Sequence, residues 1–193
     1  MKNIYVLIGP PLSGKETQGG LLELSLGGIP RFSAGHLIRE ERKVNPVFEE
    51  AYRKYSMQGK HLPTGIYFPI LVKKMEEASD TGFILDNFPA TAENVEYLER
   101  YLQGKDLKIQ SVVSLNVSED EMRKRFEIAR EKRGRADDTF ENVHDRRENQ
   151  DRDRIAVLDH FRDLGLLSEI NGEQGVEKVH DDIMAAIRQR ETT

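Results

Sequence analysis

Apolar residues along this chain fall into two kinds of pattern. Short unbroken runs, closed by glycine, proline or a polar residue, alternate with longer stretches whose apolar positions recur three or four apart. The first run, Ile4-Tyr5-Val6-Leu7-Ile8, stops at Gly9-Pro10. A run without polar alternation predicts a strand covered on both faces, as in a parallel sheet. Phe83-Ile84-Leu85, Val112-Val113-Ser114-Leu115 and Leu166-Leu167-Ser168-Glu169-Ile170 are of the same kind, and Ile29 to Phe32 is a less apolar one. Helical spacing covers about 15–26, where Leu21, Leu22 and Leu26 share a face, and about 46–58, 66–78, 92–102, 119–132, 140–164 and 176–189. Ser118 and Glu121 predict a capping box ahead of the 119–132 helix. Pro69, near the start of its helix, is expected to shift the first turn.

Strand and helix alternate from end to end, with no internal repeat and no linker. The expectation is an α/β fold: one doubly wound parallel sheet of about five strands, helices on both faces, in a single domain over residues 1–193. Composition agrees with one core under a solvated surface, since 37% of residues are hydrophobic and 33% charged. With 29 basic and 34 acidic side chains the net charge is -5, which speaks against a nucleic-acid backbone as partner. The absence of cysteine excludes disulfides, thiolate zinc sites and a cysteine nucleophile. No stretch approaches the ~20 apolar residues of a membrane span, and Gly9 ends the first run too early for a signal peptide. A cytoplasmic monomer with no membrane partner is therefore expected.

The densest chemistry follows the first strand. Gly9-Pro10-Pro11-Leu12-Ser13-Gly14-Lys15 lies between a strand and a helix, the context in which successive backbone N–H groups converge on phosphate and the helix dipole adds positive charge. Lys15 would reach the outer phosphates. The residue after it is Glu16, where the P-loop pattern asks for Ser or Thr; Thr17 comes one place later. Asp86 ends a buried strand at the carboxyl edge where open α/β sheets bind ligands, with a turn or helix-capping role as the lesser alternative. The mixed-charge stretch Glu127 to Arg154 reads as a solvated helix pair or as a source of phosphate-binding arginines. His61, His144, His160 and His180 have no ligand spacing. Tyr52 and Tyr55 are read as packing residues before base-pocket residues.

These motifs together resemble the adenylate kinase family of nucleoside-monophosphate kinases. Gly14-Lys15-Glu16-Thr17-Gln18 is close to its Gly-Lys-Gly-Thr-Gln, and Ser33-Ala34-Gly35-His36-Leu37-Ile38-Arg39 to its Ser-x-Gly-Asp-x-Leu-Arg. Gly59-Lys60-His61-Leu62-Pro63, Gly82 to Pro89, and Arg133 to Asp138 with Arg146 follow in family order. The resemblance implies a small helical acceptor-binding insertion over 33–63 and a short lid over 126–138. It implies that Gly9, Pro10, Pro11, Leu12, Ser13, Gly14, Lys15, Glu16, Thr17 and Arg125 bind ATP. Ser33, Ala34, Arg39, Asn94, Arg135 and Arg146 would bind the monophosphate. Lys15, Asp86, Arg125, Arg135 and Arg146 would be catalytic, with Asp86 reaching Mg²⁺ through water. The implied reaction is in-line transfer of the γ-phosphoryl group of MgATP to AMP, with UMP or CMP next.

Five departures from the family pattern keep another outcome open. Ala90 stands where the family supplies a second arginine for the acceptor phosphate, and Ala129 where short-lid members carry an ATP-facing arginine. Leu12 replaces a loop glycine, Glu16 brings a carboxylate to the phosphate cradle, and His36 replaces an aspartate. A catalytically impaired nucleotide-binding relative, or a kinase of another acceptor, fits these substitutions. Asn94, four residues after Ala90, resembles UMP/CMP kinases and is the expected reader of the acceptor base.

Overall fold

Alternate residues of the first strand face opposite ways, and both sets are buried. In the computed structural model, which describes residues 1–78, 80–133 and 139–191, β1 spans Lys2–Ile8. Ile4, Val6 and Ile8 join Phe83, Leu85 and Val112 in one cluster, while Tyr5 and Leu7 join Ile84, Val113 and Leu115 in a second on the other face. The other strands are β2 (Arg31–Ser33), β3 (Phe83–Asp86), β4 (Leu107–Asn116) and β5 (Leu167–Asn171). They form one parallel sheet in the order β2-β3-β1-β4-β5.

Helices cover both faces. One face carries α4 (Thr64–Glu77), α5 (Ala92–Leu102) and α7 (Phe140–Asp163) through Leu71, Met75, Leu98, Val157 and Phe161. The other carries α1 (Lys15–Ser25) and α8 (Val176–Glu191) through Leu22, Val179, Ile183 and Ile187. The sheet is the doubly wound arrangement that end-to-end alternation implies. Between β2 and α4 lie α2 (Ala34–Glu41), α3 (Pro46–Lys54) and a 3₁₀ turn at Ser56–Gln58. Ile38, Phe48 and Ala51 of these helices, with Leu62 just before α4, continue the first cluster.

Several boundaries differ from the sequence pattern for local reasons. Helix α2 was not foreseen; the Ser33 hydroxyl caps it by accepting from His36 N at 3.4 Å, and only Ala34 and Ile38 are buried within it, too few to show a period. The 46–58 stretch ends as helix at Lys54. Pro69 does not disturb a first turn, because α4 starts at Thr64 and the proline lies within it. The capping box before α6 (Glu119–Arg133) is half made: Ser118 Oγ accepts from Glu121 N at 3.2 Å. Glu121 is drawn to Arg125 Nε at 2.8 Å instead, and Glu173 takes the Ser118 N–H at 2.6 Å. The expected lid, 126–138, begins on α6; residues 134–138, with Arg135, lie outside the described residues. No helix among the described residues is long and apolar enough to cross a membrane.

Candidate nucleotide site at the carboxyl edge of the sheet

The connection leaving β1 runs to one side of the sheet, to β2, while those leaving its neighbours β3 and β4 run to the other. A crevice opens at such a reversal, outside the carboxyl ends of the strands. The loop from Gly9 to Gly14 fills it. A Cβ on Gly9 would lie 2.7 Å from Ser13 Oγ and 2.9 Å from the Leu115 carbonyl, so the backbone passes too close to β4 for any larger residue. Leu12 adopts φ 60, a left-handed conformation that costs a side-chain-bearing residue about 1–2 kcal/mol. Its side chain packs on Met122, Phe126, Phe140 and Val143 of α6 and α7, and this burial offsets the strain. Pro10 and Pro11 carry no N–H, so the loop's backbone donors begin at Leu12, and Ser13 N already donates to the Pro10 carbonyl at 3.3 Å.

Lys15 Nζ donates to the carbonyls of Gly9 and Pro10, both at 2.7 Å, and to Ser13 Oγ at 3.3 Å. Burial lowers its pKa to about 8, Arg154 pushes the same way, and Asp86 opposes. The folded state thus binds this proton less tightly than the unfolded chain. The resulting destabilisation is full below about pH 8 and fades as pH rises toward the ordinary value of 10.5. Phosphate oxygens would favour the charged form. At pH 9 nucleotide binding should therefore take up a proton, seen as a binding heat that varies with the ionisation heat of the buffer. A heat independent of buffer at that pH would contradict this account of Lys15.

Beside the lysine stands Asp86, buried at the end of β3, with Ser33 opposite it in register on β2. Burial raises the Asp86 pKa, against the charges of Lys15 and Arg31. Arg31 Nη1 donates to Asp86 Oδ2 at 2.8 Å, and its Nε bonds Glu23 of α1 at 3.0 Å. This guanidinium lies over Gly19, where a Cβ would come within 2.8 Å of Arg31 Cδ. The next residue, Asn87, turns the chain with φ 55, a conformation asparagine tolerates better than most.

Arg125 Nη1 donates to the Leu12 carbonyl at 3.2 Å and Nη2 to the Gly172 carbonyl at 2.6 Å. It therefore bridges the phosphate loop and the exit of β5. A shallow hollow lined by Asn116, Ser118, Glu169 and Asn171 adjoins it at the ends of β4 and β5. Arg39 on α2 and Arg146 on α7 are exposed, as are Glu16 and Thr17 at the start of α1. Gly59 packs against the Arg146 backbone, so closely that a Cβ there would lie 3.1 Å from Arg146 Cα. The structure thus collects Lys15, Asp86 and Arg125 around the loop.

The motifs that sit in this geometry are matched along nearly the whole chain. The family model for adenylate kinase matches residues 7–166. The chain is 36% identical over 186 residues to an adenylate kinase of Corynebacterium aurimucosum, covering 95% of this chain and 98% of that one. It is 32% identical over 186 residues to one of Clavibacter michiganensis, covering 96% and 92%. The chain belongs to the adenylate kinase family. Membership places it among the ATP-dependent phosphotransferases.

One family expectation meets a different local structure. Asn94 is 1% exposed, and its amide is committed to protein partners: Oδ1 accepts from Ala90 N at 3.0 Å and Nδ2 donates to Thr64 Oγ1 at 2.6 Å. Thr64 in turn donates to Glu93 at 2.6 Å. A side chain so engaged joins the starts of α4 and α5; it does not present an open edge to a base. Asn94→Ala should cost about 1–3 kcal/mol of stability, because it leaves the buried Ala90 N–H without its acceptor and takes a donor from the Thr64 hydroxyl, which keeps its bond to Glu93. A thermal melt indistinguishable from the parent's would contradict this.

Arg31, Arg154 and Gly172 belong to the same site and were not singled out from the sequence. Gly172 is tight against the Ser13 carbonyl, 3.3 Å from where its Cβ would be. None of the three stands in a motif. Only the 127–154 charge run pointed toward one of them.

Proposed function

We propose that this chain transfers the γ-phosphoryl group of MgATP to AMP. The observation that carries the reading is the placing of Lys15, inside a glycine-framed loop at a helix N-terminus, within electrostatic reach of the buried carboxylate of Asp86 on the adjacent strand end. The loop amides and Lys15 would hold the donor phosphates, and Arg125, already spanning Leu12 and Gly172, would fix the triphosphate from the side of β5. Arg39 would bind the acceptor phosphate, with Ser33 and Ala34 turning the chain toward it. Arg146 and Arg135 would approach the transferring group from α7 and from the lid. On this reading residues 33–63 form the acceptor-binding insertion and 126–138 the lid.

Only one Asp86 oxygen is taken by Arg31, which leaves Oδ1 for a water of a hydrated cation; an oxygen donor at that place suits Mg²⁺. When bound, the ion would neutralise charge on the phosphates. The chain's own contribution is positional: it aligns the two nucleotides in line, supplies cationic donors where charge spreads, and excludes water on closure. AMP is the acceptor named because the relatives are adenylate kinases. Rates with AMP, UMP, CMP and GMP in one coupled assay test it. AMP should give the highest kcat/KM, and a higher value for CMP or UMP would overturn the acceptor while leaving the phosphoryl transfer.

A further inference from the structure

Helix α7 buries an arginine that no part of the reading above uses. The Arg154 side chain is 18% exposed, and its Nη2 is held by Asp151 Oδ1 at 2.9 Å. Its other two nitrogens, Nε and Nη1, are buried with no hydrogen-bond partner among the described residues. Buried donors of a charged group are costly to leave unmade, so a guanidinium in this state is a strong sign of a ligand. Asp151 also pairs with Arg147 at 3.5 Å, and Arg147 Nη2 donates to the Val117 carbonyl at 3.2 Å, so the supporting carboxylate is itself fixed to the end of β4.

The surroundings say which ligand. One helical turn before Arg154, and on the same face, Gln150 Nε2 donates to the Gly59 carbonyl at 3.2 Å. Asp153 interacts electrostatically with His61 in the same stretch. Gly59 and His61 lie at the end of the proposed acceptor insertion. On the other side is the donor loop, near enough for the charge of Arg154 to bear on Lys15. Arg154 therefore stands between the donor lysine and the acceptor insertion. That is where the attacking phosphate must lie. The residue at position 90, from which a second arginine would reach that phosphate, is a buried alanine.

We propose that Arg154 binds the phosphate of the acceptor nucleotide and supplies the second guanidinium that Ala90 does not. This rests on the proposed acceptor function. Two nitrogens with unmade bonds, on a guanidinium that Asp151 fixes through Nη2, offer charge-assisted donors to a dianion that displaces the groups covering them. An ion pair with Asp151 alone would explain burial but not the two orphaned nitrogens.

Arg154→Met and Arg154→Lys, each checked for folding by thermal melt, test the proposal against the parent. The expected result for Arg154→Met is an AMP KM raised about 10- to 100-fold, with the ATP KM changed less than about threefold. Arg154→Lys should fall between parent and Arg154→Met, since it keeps the charge and loses the fork. Calorimetric titration with AMP alone should show the same order of affinities, so the result does not depend on turnover. Should Arg154→Met fail to fold, Arg154→Lys and the AMP titration still decide. An unchanged AMP affinity in the variants, or an equal rise in both KM values, overturns the role of Arg154 and leaves the kinase reading standing. A parent that turns over no monophosphate and binds none overturns both.

Discussion

Replacing Lys15 with alanine should reduce phosphoryl transfer by at least about a thousandfold while leaving the fold intact. The lysine follows the loop directly and is held against it by three oxygen atoms of that loop. Its charge would be felt most when negative charge spreads over the transferring group, so its loss should appear chiefly in kcat, as for other preorganised donors. Stability should not suffer. A depressed pKa means that the folded state binds the proton of Lys15 less readily than the unfolded chain does, and removing the group removes that penalty. A second readout follows from mass action. MgATP should raise the melting temperature of the parent and hardly that of Lys15→Ala, because a ligand stabilises only the state that binds it. Equal stabilisation of the two proteins would remove the loop from the donor site.

Asp86→Asn is expected to separate activity from stability just as sharply. Asparagine still accepts a hydrogen bond from Arg31 at this position but carries no charge toward a hydrated cation. Transfer should fall about 10²- to 10³-fold, on the scale of losing one preorganised electrostatic group. The melting temperature should move by only a few degrees. The pKa of Asp86 is raised by burial, so the folded state disfavours the charged form. That penalty is present above the raised folded pKa and disappears below the ordinary value of 3.8. At neutral pH the substitution removes a desolvated charge, which compensates for the weaker bond to Arg31. A large drop in melting temperature with transfer intact would mean that Asp86 is only a structural partner of Arg31.

The fold was legible because burial on both faces removes alternation in β1, β3 and most of β4, and the half-exposed runs of β2 and β5 also lie between helical periods. Shorter features were not. The three residues of β2, Arg31–Ser33, include a charged side chain that a hydropathy pattern reads as an edge, yet its guanidinium reaches Asp86, 55 positions away. Helix α2 rests on one serine cap and two buried residues. At the site, the loop and Asp86 could be found because their chemistry is local: a glycine-rich strand-to-helix turn and an acid at a strand end. Arg154 could not. Its meaning depends on Gln150 touching the Gly59 carbonyl and on Asp151 fixing one nitrogen, which are contacts made only after α7 packs. Asn94 is the reverse case: a residue matched by spacing to a reader of bases has its amide engaged by Thr64 and Ala90.

Leu12 gives the loop a connection that a glycine at that place would lack. Its side chain packs with Met122 and Phe126 of α6 and with Phe140 and Val143 of α7, so the loop and these two helices share one apolar cluster.

The central claim is that this chain moves a phosphoryl group from ATP to AMP. It is tested most directly by incubating the protein with MgATP and AMP and separating the nucleotides by anion-exchange chromatography. The account predicts that ATP and AMP disappear together, with two ADP formed for each AMP consumed, and that Lys15→Ala stops the conversion. Nucleotides left unchanged, or ATP hydrolysed while AMP persists, would contradict it and favour a nucleotide-binding protein that has lost transfer.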